Sequence, residues 1–397
     1  MDSNLTGTIK KIIYVNYQPL SEKLKEDFYL DDLIKRGFEV EYWDLSAIFF
    51  PRIKRNKINN ENIIIFNLLD EVENRLIHQE ISSTFFVIMI TYESRVVNLF
   101  QLLTKYNCTT SIFARGMIPM PLTSMKPFFS RIRKAFNFKL LITYIFNKRS
   151  SWLKKKGFIK KYDTVFNAGE LGICVVGAGY EIEKKESKII NLNSFDFERF
   201  IVSKNAENLI KEKYCVFLDE YLPYHPDFFM LKIKTVEPDN YYKSLNSFFK
   251  IIENKFNLEV VIAAHPKAER YVYENPFDGR KVFFNKTAEL TKYAEFGVLH
   301  FSTSVSFPVL NKKPVLFLYT NSIKTVMPNY YRYISFFSET LGSNLINIDE
   351  VSEADIDKDF KTIDINKYEA YKFNYLTSLE SEQQQSVDIF CNYISNR

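Results

Sequence analysis

Three short groups of residues in the second half of the chain have the types and spacing to handle a phosphate. His265 is followed at once by Pro266, at the end of an apolar run from Val260 to Ala264. Proline disfavours helical backbone in the residue before it, so His265 is expected extended, its ring aimed by the main chain. Ser302, Thr303 and Ser304 lie between the apolar run Gly297 to Phe301 and a stretch of helical spacing, Val305 to Asn311. A strand that hands over to a helix offers backbone N–H groups and the positive end of a dipole, and the three hydroxyls add donors. Asp219 and Glu220 end a third apolar run, Tyr214 to Leu218. A carboxylate there can take the proton of an attacking hydroxyl. Alternate strand residues point opposite ways, so one of the pair is expected to face a ligand, and Asp219 is our choice.

An imidazole and a cluster of hydroxyls aimed at one point can stabilise charge on a departing phosphate. Such donors suffice without a metal, and neither metal nor cofactor is expected. Pro266 and Lys267 would flank the same donor site, and Glu289, near a predicted helix start, could hold ribose hydroxyls.

The elements that must position these residues read as a β-α-β-α-β series, with strands at Val260–Ala264, Gly297–Phe301 and Pro314–Leu318. Their ends would line the carboxyl edge of a parallel sheet, where α/β proteins bind ligands. The first half has the same pattern, with strands expected at Ile12–Tyr17, Val40–Leu45, Ile63–Phe66, Phe85–Tyr92 and Thr110–Arg115. Helices are expected over Leu24–Lys35, Asp70–His78 and Ser94–Tyr106, further short strands at Asp163–Gly169 and Ile173–Ala178, and an interdomain crossover at Ile189–Phe200. The class is therefore α/β, with two Rossmann-like lobes whose parallel sheets face a central cleft. The boundaries are placed at 1–200 for an acceptor-side lobe and 201–365 for a nucleotide-sugar lobe, with a final helical region, 366–397, that could cross back to the first lobe. Glu93 and Arg115, at strand ends of the first lobe, and His225, in a proline-rich loop, are assigned to the acceptor.

Composition fits this picture. The chain has 397 residues, 46% hydrophobic and 25% charged, which gives ample core for two domains. The four cysteines form no C-x-x-C pair, so neither a zinc knuckle nor a disulfide framework is expected. The N-terminus lacks the apolar core of a signal peptide and no apolar run is long enough to span a bilayer, so a cytoplasmic location is expected. The charge of +5 is unevenly spread, since the segment from Lys126 to Lys161 holds twelve Lys or Arg and no acid. Interleaved with Phe, Leu, Ile and Trp152, it could rest on the cytoplasmic face of an anionic inner membrane or form a solvated helix face. No nucleic-acid module is recognisable, and nucleic acid is not expected as a partner.

An acid pair at a strand end, then a His-Pro at a strand end, then a Ser-rich strand-to-helix turn resembles, in that order, the bacterial sialyltransferases, polysialyltransferases and Kdo transferases. The resemblance covers roughly Tyr214 to Thr320 and differs in Tyr221, where many sialyltransferases have glycine, and in Ser-Thr-Ser rather than paired serines. It implies a GT-B fold, a CMP-activated acidic sugar as donor and a glycan acceptor, which can be lipid-linked. It also implies that Asp219 or Glu220 supplies the base or nucleophile, that His265 assists the departing CMP and that Ser302 to Ser304 hold its phosphate. A CDP-alditol phosphotransferase of teichoic-acid type and a non-catalytic polyanion- or membrane-binding protein are the competing expectations.

Overall fold

The computed structural model describes residues 9–51, 62–121, 138–178, 180–230, 233–356 and 362–397. The chain forms two compact units. One comprises Met1–Met117, Met125–Phe195 and Thr377–Arg397, the other Ile118–Ser124 and Asp196–Leu376.

The first unit carries a seven-stranded parallel sheet in the order β3-β2-β1-β4-β5-β6-β7. Its strands are β1 (Lys11–Asn16), β2 (Glu39–Asp44), β3 (Ile63–Ile65), β4 (Thr84–Ile88), β5 (Thr109–Ala114), β6 (Thr164–Ala168) and β7 (Lys188–Leu192). The central strands are buried on both faces, which is why they read as continuous apolar runs rather than alternating ones. One face packs on a core that includes Trp43, Phe86, Leu99 and Tyr162. The other packs on Tyr14, Phe85, Phe166 and the closing helix Ser386–Ser395, which contributes Phe390 and Ile394.

The second unit has a six-stranded parallel sheet, β10-β9-β8-β11-β12-β13. These strands are β8 (Tyr214–Leu218), β9 (Glu259–Ala264), β10 (Val282–Phe284), β11 (Gly297–Leu299), β12 (Val315–Tyr319) and β13 (Asn344–Asn347). Each sheet therefore runs outward from its first strand, returns, and continues on the other side. This Rossmann-like order creates a switch point between β1 and β4 in one unit and between β8 and β11 in the other.

Several expectations are corrected. Ile173–Ala178 is no strand: Gly172–Val175 forms a 3-10 turn, and Gly177 (φ +105) bridges Tyr92 so closely that a Cβ would lie 2.5 Å from the Tyr92 carbonyl oxygen. A buried apolar run of six residues does not by itself distinguish strand from buried turn. Ile189–Phe200 holds β7, the edge strand of the first sheet, followed by a helix from Phe195 to Ser203. Leu24–Lys35 splits into two short helices at Tyr29, which takes a left-handed conformation (φ 61). Pro328 opens the helix Pro328–Leu341 at its first position, where its missing N–H costs nothing. In the basic segment, residues 126–137 lie outside the described residues. From Phe138 to Lys155 it is a helix, in which Lys154 is buried against Glu183 and cannot serve a membrane. Among the described residues no helix is long and apolar enough to cross a membrane.

Candidate active site

The switch point of the second unit gathers most of the sequence-derived candidates. In the β8–β9 pairing Leu218 lies opposite Ala263, so the chain beyond brings Asp219 and Glu220 level with Ala264 and His265. In the β8–β11 pairing Phe217 lies opposite Val298, which sets Glu220 level with Phe301. The hydrogen bonds follow this register. Asp219 Oδ2 accepts the N–H of His265 at 3.4 Å, and Glu220 Oε1 accepts the N–H of Phe301. One acid ties β8 to the end of β9, and its neighbour ties β8 to the end of β11. Both are buried, and the alternation that was expected to point one away from a ligand instead sends them to opposite neighbouring strands.

Burial sets their protonation. Desolvation pushes Asp219 up to about 6, against backbone N–H groups of Tyr221 and His265 and the Tyr271 hydroxyl (3.4 Å), which favour the anion. Glu220 is pushed further, to about 8, again by desolvation, with Asp219 adding repulsion and Tyr330 opposing. Tyr330 donates its hydroxyl to Glu220 Oε2, so both oxygens of this acid are occupied by the protein. Asp219 is thus the member that is ionised at neutral pH.

The folded state holds protons on both acids where the unfolded chain, with carboxyls near 3.8 and 4.5, has lost them. Stability should therefore fall as pH rises from about 4 and level off above about 8. Glu220→Gln keeps an acceptor for Phe301 and removes the titration. We expect urea midpoints at pH 5 and pH 9 to differ by no more than half as much as in the parent. Parallel pH profiles would show that Glu220 titrates normally.

His265 follows β9, half-buried, and its Nδ1 accepts the N–H of Lys267 at 3.1 Å. His225, on the loop after β8, accepts the N–H of Asp227 on its Nδ1 at 3.2 Å. The two rings meet edge to face with centroids 4.9 Å apart. Lys267 Nζ bonds Asp227 Oδ1 at 2.9 Å and pins the two loops together. With each Nδ1 accepting, the neutral rings must carry their proton on Nε2, so both are donors at that atom. Desolvation lowers the pKa of His225, keeping it neutral at pH 7. His225, assigned above to the acceptor, thus stands beside His265, and the loop it occupies contains the 3-10 turn Leu222–Tyr224 and the helix Pro226–Met230.

Ser302 caps the turn Thr303–Val305, its Oγ accepting the N–H of Ser304 at 3.2 Å, ahead of the short helix Ser306–Leu310. The hydroxyl of Ser302 is thus engaged as a cap, while Thr303 is exposed and Ser304 half-buried. This turn and His265 leave strands on either side of β8, two strand spacings or about 10 Å apart. Pro266 is exposed in the turn after His265. Glu289 lies in the first turn of the helix Thr287–Tyr293 and pairs with Lys286 at 3.0 Å.

The remaining acceptor candidates belong to the first unit. Glu93 pairs with Arg95 at 2.7 Å beyond β4. Arg115, beyond β5, is buried, its guanidinium 3.9 Å from the centroid of Phe195 and donating to the Tyr29 hydroxyl at 2.7 Å.

Tyr221 adopts a left-handed conformation (φ 55, ψ 33), one that glycine takes freely and other residues take at a cost of about 1–2 kcal/mol. The buried Tyr221 ring packs edge-on against Tyr271 at 5.2 Å, which helps to hold it there. Sequence reasoning missed the tyrosines around the acids. Tyr271 bonds Asp219 and also Tyr242, at 2.8 Å, and both line a cavity of about 550 Å³ with Tyr224, Asn246 and Arg270. His300, wholly buried, bonds the carbonyl of Leu318 at 2.7 Å and the hydroxyl of Tyr241 at 2.9 Å, and is structural. Tyr330 reaches Glu220 from 110 positions away, and no local signal announces it. Among the described residues no group of three or more His, Cys, Asp or Glu is arranged to hold a metal ion.

No protein-family model matches the sequence, and no curated protein matches it. Among solved structures the chain is similar to a UDP co-structure of S. aureus MnaA, at 13% identity over 93% of this chain and 92% of that one, with a TM-score of 0.46. It is also similar to a putative UDP-N-acetylglucosamine 2-epimerase from Listeria monocytogenes, at 11% identity over 98% and 96% of the two chains, with a TM-score of 0.48. The wall teichoic acid polymerase TagF gives 12% identity over 98% and 90%, with a TM-score of 0.48. At these values the likeness says nothing about chemistry.

Proposed function

We propose that the chain is a glycosyltransferase of GT-B type that moves an acidic 2-keto sugar from a CMP donor to a bacterial surface glycan. The sugar would be of the sialic, legionaminic, pseudaminic or Kdo class, and no metal takes part. The observation that carries the reading is the His225–His265 pair, whose fixed tautomers present two Nε2 donors beside the switch point.

In the reaction the acceptor oxygen bonds to the anomeric carbon of the sugar while the bond from that carbon to the phosphate oxygen breaks. The electron pair leaves with CMP, and His265, supported by His225, hydrogen-bonds the charge that develops. Thr303 and Ser304 supply further donors across the strand gap. The acceptor proton goes to Asp219, which is ionised above about pH 6, whereas Glu220 holds its own proton and serves to lock β8 to β11.

The test is donor selectivity. CMP is expected to raise the melting temperature, UDP and GDP to leave it unchanged, and CMP release to be seen from a CMP-activated acidic sugar but not from CDP-glycerol. Turnover of CDP-glycerol, or stabilisation by UDP-N-acetylglucosamine without any response to CMP, would overturn the assignment.

A further inference from the structure

The geometry points to the outer face of the helix Phe138–Lys155, together with Phe158, as a surface that docks on anionic lipid membrane. The inference lies within the first unit and stands whether or not the transferase reading holds.

The helix divides sharply. Ser150 and Lys154 are buried: the carbonyl of Ser150 accepts the Tyr92 hydroxyl at 2.9 Å, and Lys154 pairs with Glu183 at 2.5 Å. Asn147 accepts the N–H of Ser94 with its side-chain oxygen at 3.3 Å. Positions 147, 150 and 154 lie on one side of a helix of 3.6 residues per turn, so this side is fixed to the unit. The opposite side carries Ile145, Arg149, Trp152 and Lys156 in one row, with Lys148 and Lys155 beside it, all exposed. Large apolar groups are left in solvent here: Ile145 is 56%, Trp152 50% and Phe158 59% exposed, and Trp152 stacks on Phe158 at 5.8 Å. No acid occurs between Lys126 and Lys161.

Each half of this pattern asks for a different part of one partner. Arg149, Lys155 and Lys156, exposed cations from a stretch of sequence that contains no acid, suit a layer of negative headgroups, and exposed Trp, Ile and Phe beside them suit the boundary with the acyl chains; of the two acids that line a recess with Phe158, Asp70 and Glu73, the second is paired with Lys105. A soluble polyanion would satisfy the cations and leave the apolar groups in water. The membrane is the partner that covers both.

The chain contains two tryptophans, and Trp43 is wholly buried in the first unit's core, so a change in emission on binding reports Trp152. We expect vesicles with 30% phosphatidylglycerol to shift the emission to the blue and to bind at least tenfold more tightly than phosphatidylcholine vesicles. The double variant Lys155→Ala, Lys156→Ala should bind about tenfold or more weakly, with unchanged circular dichroism. Trp152→Phe should abolish the shift. Three results would overturn the proposal: equal affinity for both vesicles, undiminished binding by the double variant, or binding to a soluble polyanion as tight as to vesicles with no blue shift in either case.

Discussion

Replacement of His265 by alanine is expected to lower the turnover number by about 10²- to 10⁴-fold, the range for loss of a group that handles a proton or charge in the transition state. The Michaelis constant for the donor should move little, because the charge that His265 meets develops only as the phosphate departs. The fold should persist. His265 is half-buried at a strand end, and the backbone N–H that it donates to Asp219 is retained in alanine. His225→Ala should cost less, and the double variant should lose less than the sum of the two, because the rings touch and act on one leaving group. Steady-state kinetics with a CMP-activated sugar measures all three. Full turnover by His265→Ala would remove the histidine from the chemistry and with it the proposed function.

The parts of this site that were legible in the sequence are those fixed by short-range rules. β8 (YCVFL) and β9 beyond its first residue, Glu259 (VVIAA), are apolar because both faces of a parallel sheet are covered, so their ends, and therefore Asp219, Glu220 and His265, could be placed from letters alone. The handover from strand to helical stretch at Ser302 was legible for a similar reason, since hydroxyls between an apolar run and a helical spacing are a local pattern, but that the Ser302 hydroxyl is taken up as a cap was not read. What could not be read was the partnership between elements distant in sequence. Tyr330 meets Glu220 and His225 meets His265 only because the sheet order brings their loops together, and nothing near residues 225 or 330 encodes that. Very short strands escaped for another reason: Val282–Phe284 and Asn344–Asn347 give too few residues to establish a period. In the helix Phe138–Lys155 charge was misleading, since one lysine in a run of three faces inward.

That inward lysine sets the largest stability effect to be expected outside the site. Lys154 is bonded to Glu183 at 2.5 Å, with side chains 1% and 0% exposed, and its ammonium lies 4.3 Å and 4.9 Å from the ring centroids of Tyr92 and Tyr162. Desolvation lowers the pKa of Lys154 while the carboxylate opposes the shift, so the cation survives there only because Glu183 is opposite. Lys154→Ala would leave Glu183 buried without its counter-charge, and its Oε2 already has no hydrogen-bond partner among the described residues. The expected loss is about 3–5 kcal/mol. Removing both charges, with Lys154→Met and Glu183→Leu, should recover most of it, because the cost arises from an unpaired charge rather than from a missing attraction. Trp43 lies in the same core, so urea unfolding followed by its fluorescence in a Trp152→Phe background reads this unit directly. A single variant as stable as the parent would mean that water reaches the pair. If the double variant were no better than the single one, packing by the lysine stem, and not electrostatics, would be what holds the helix to its unit.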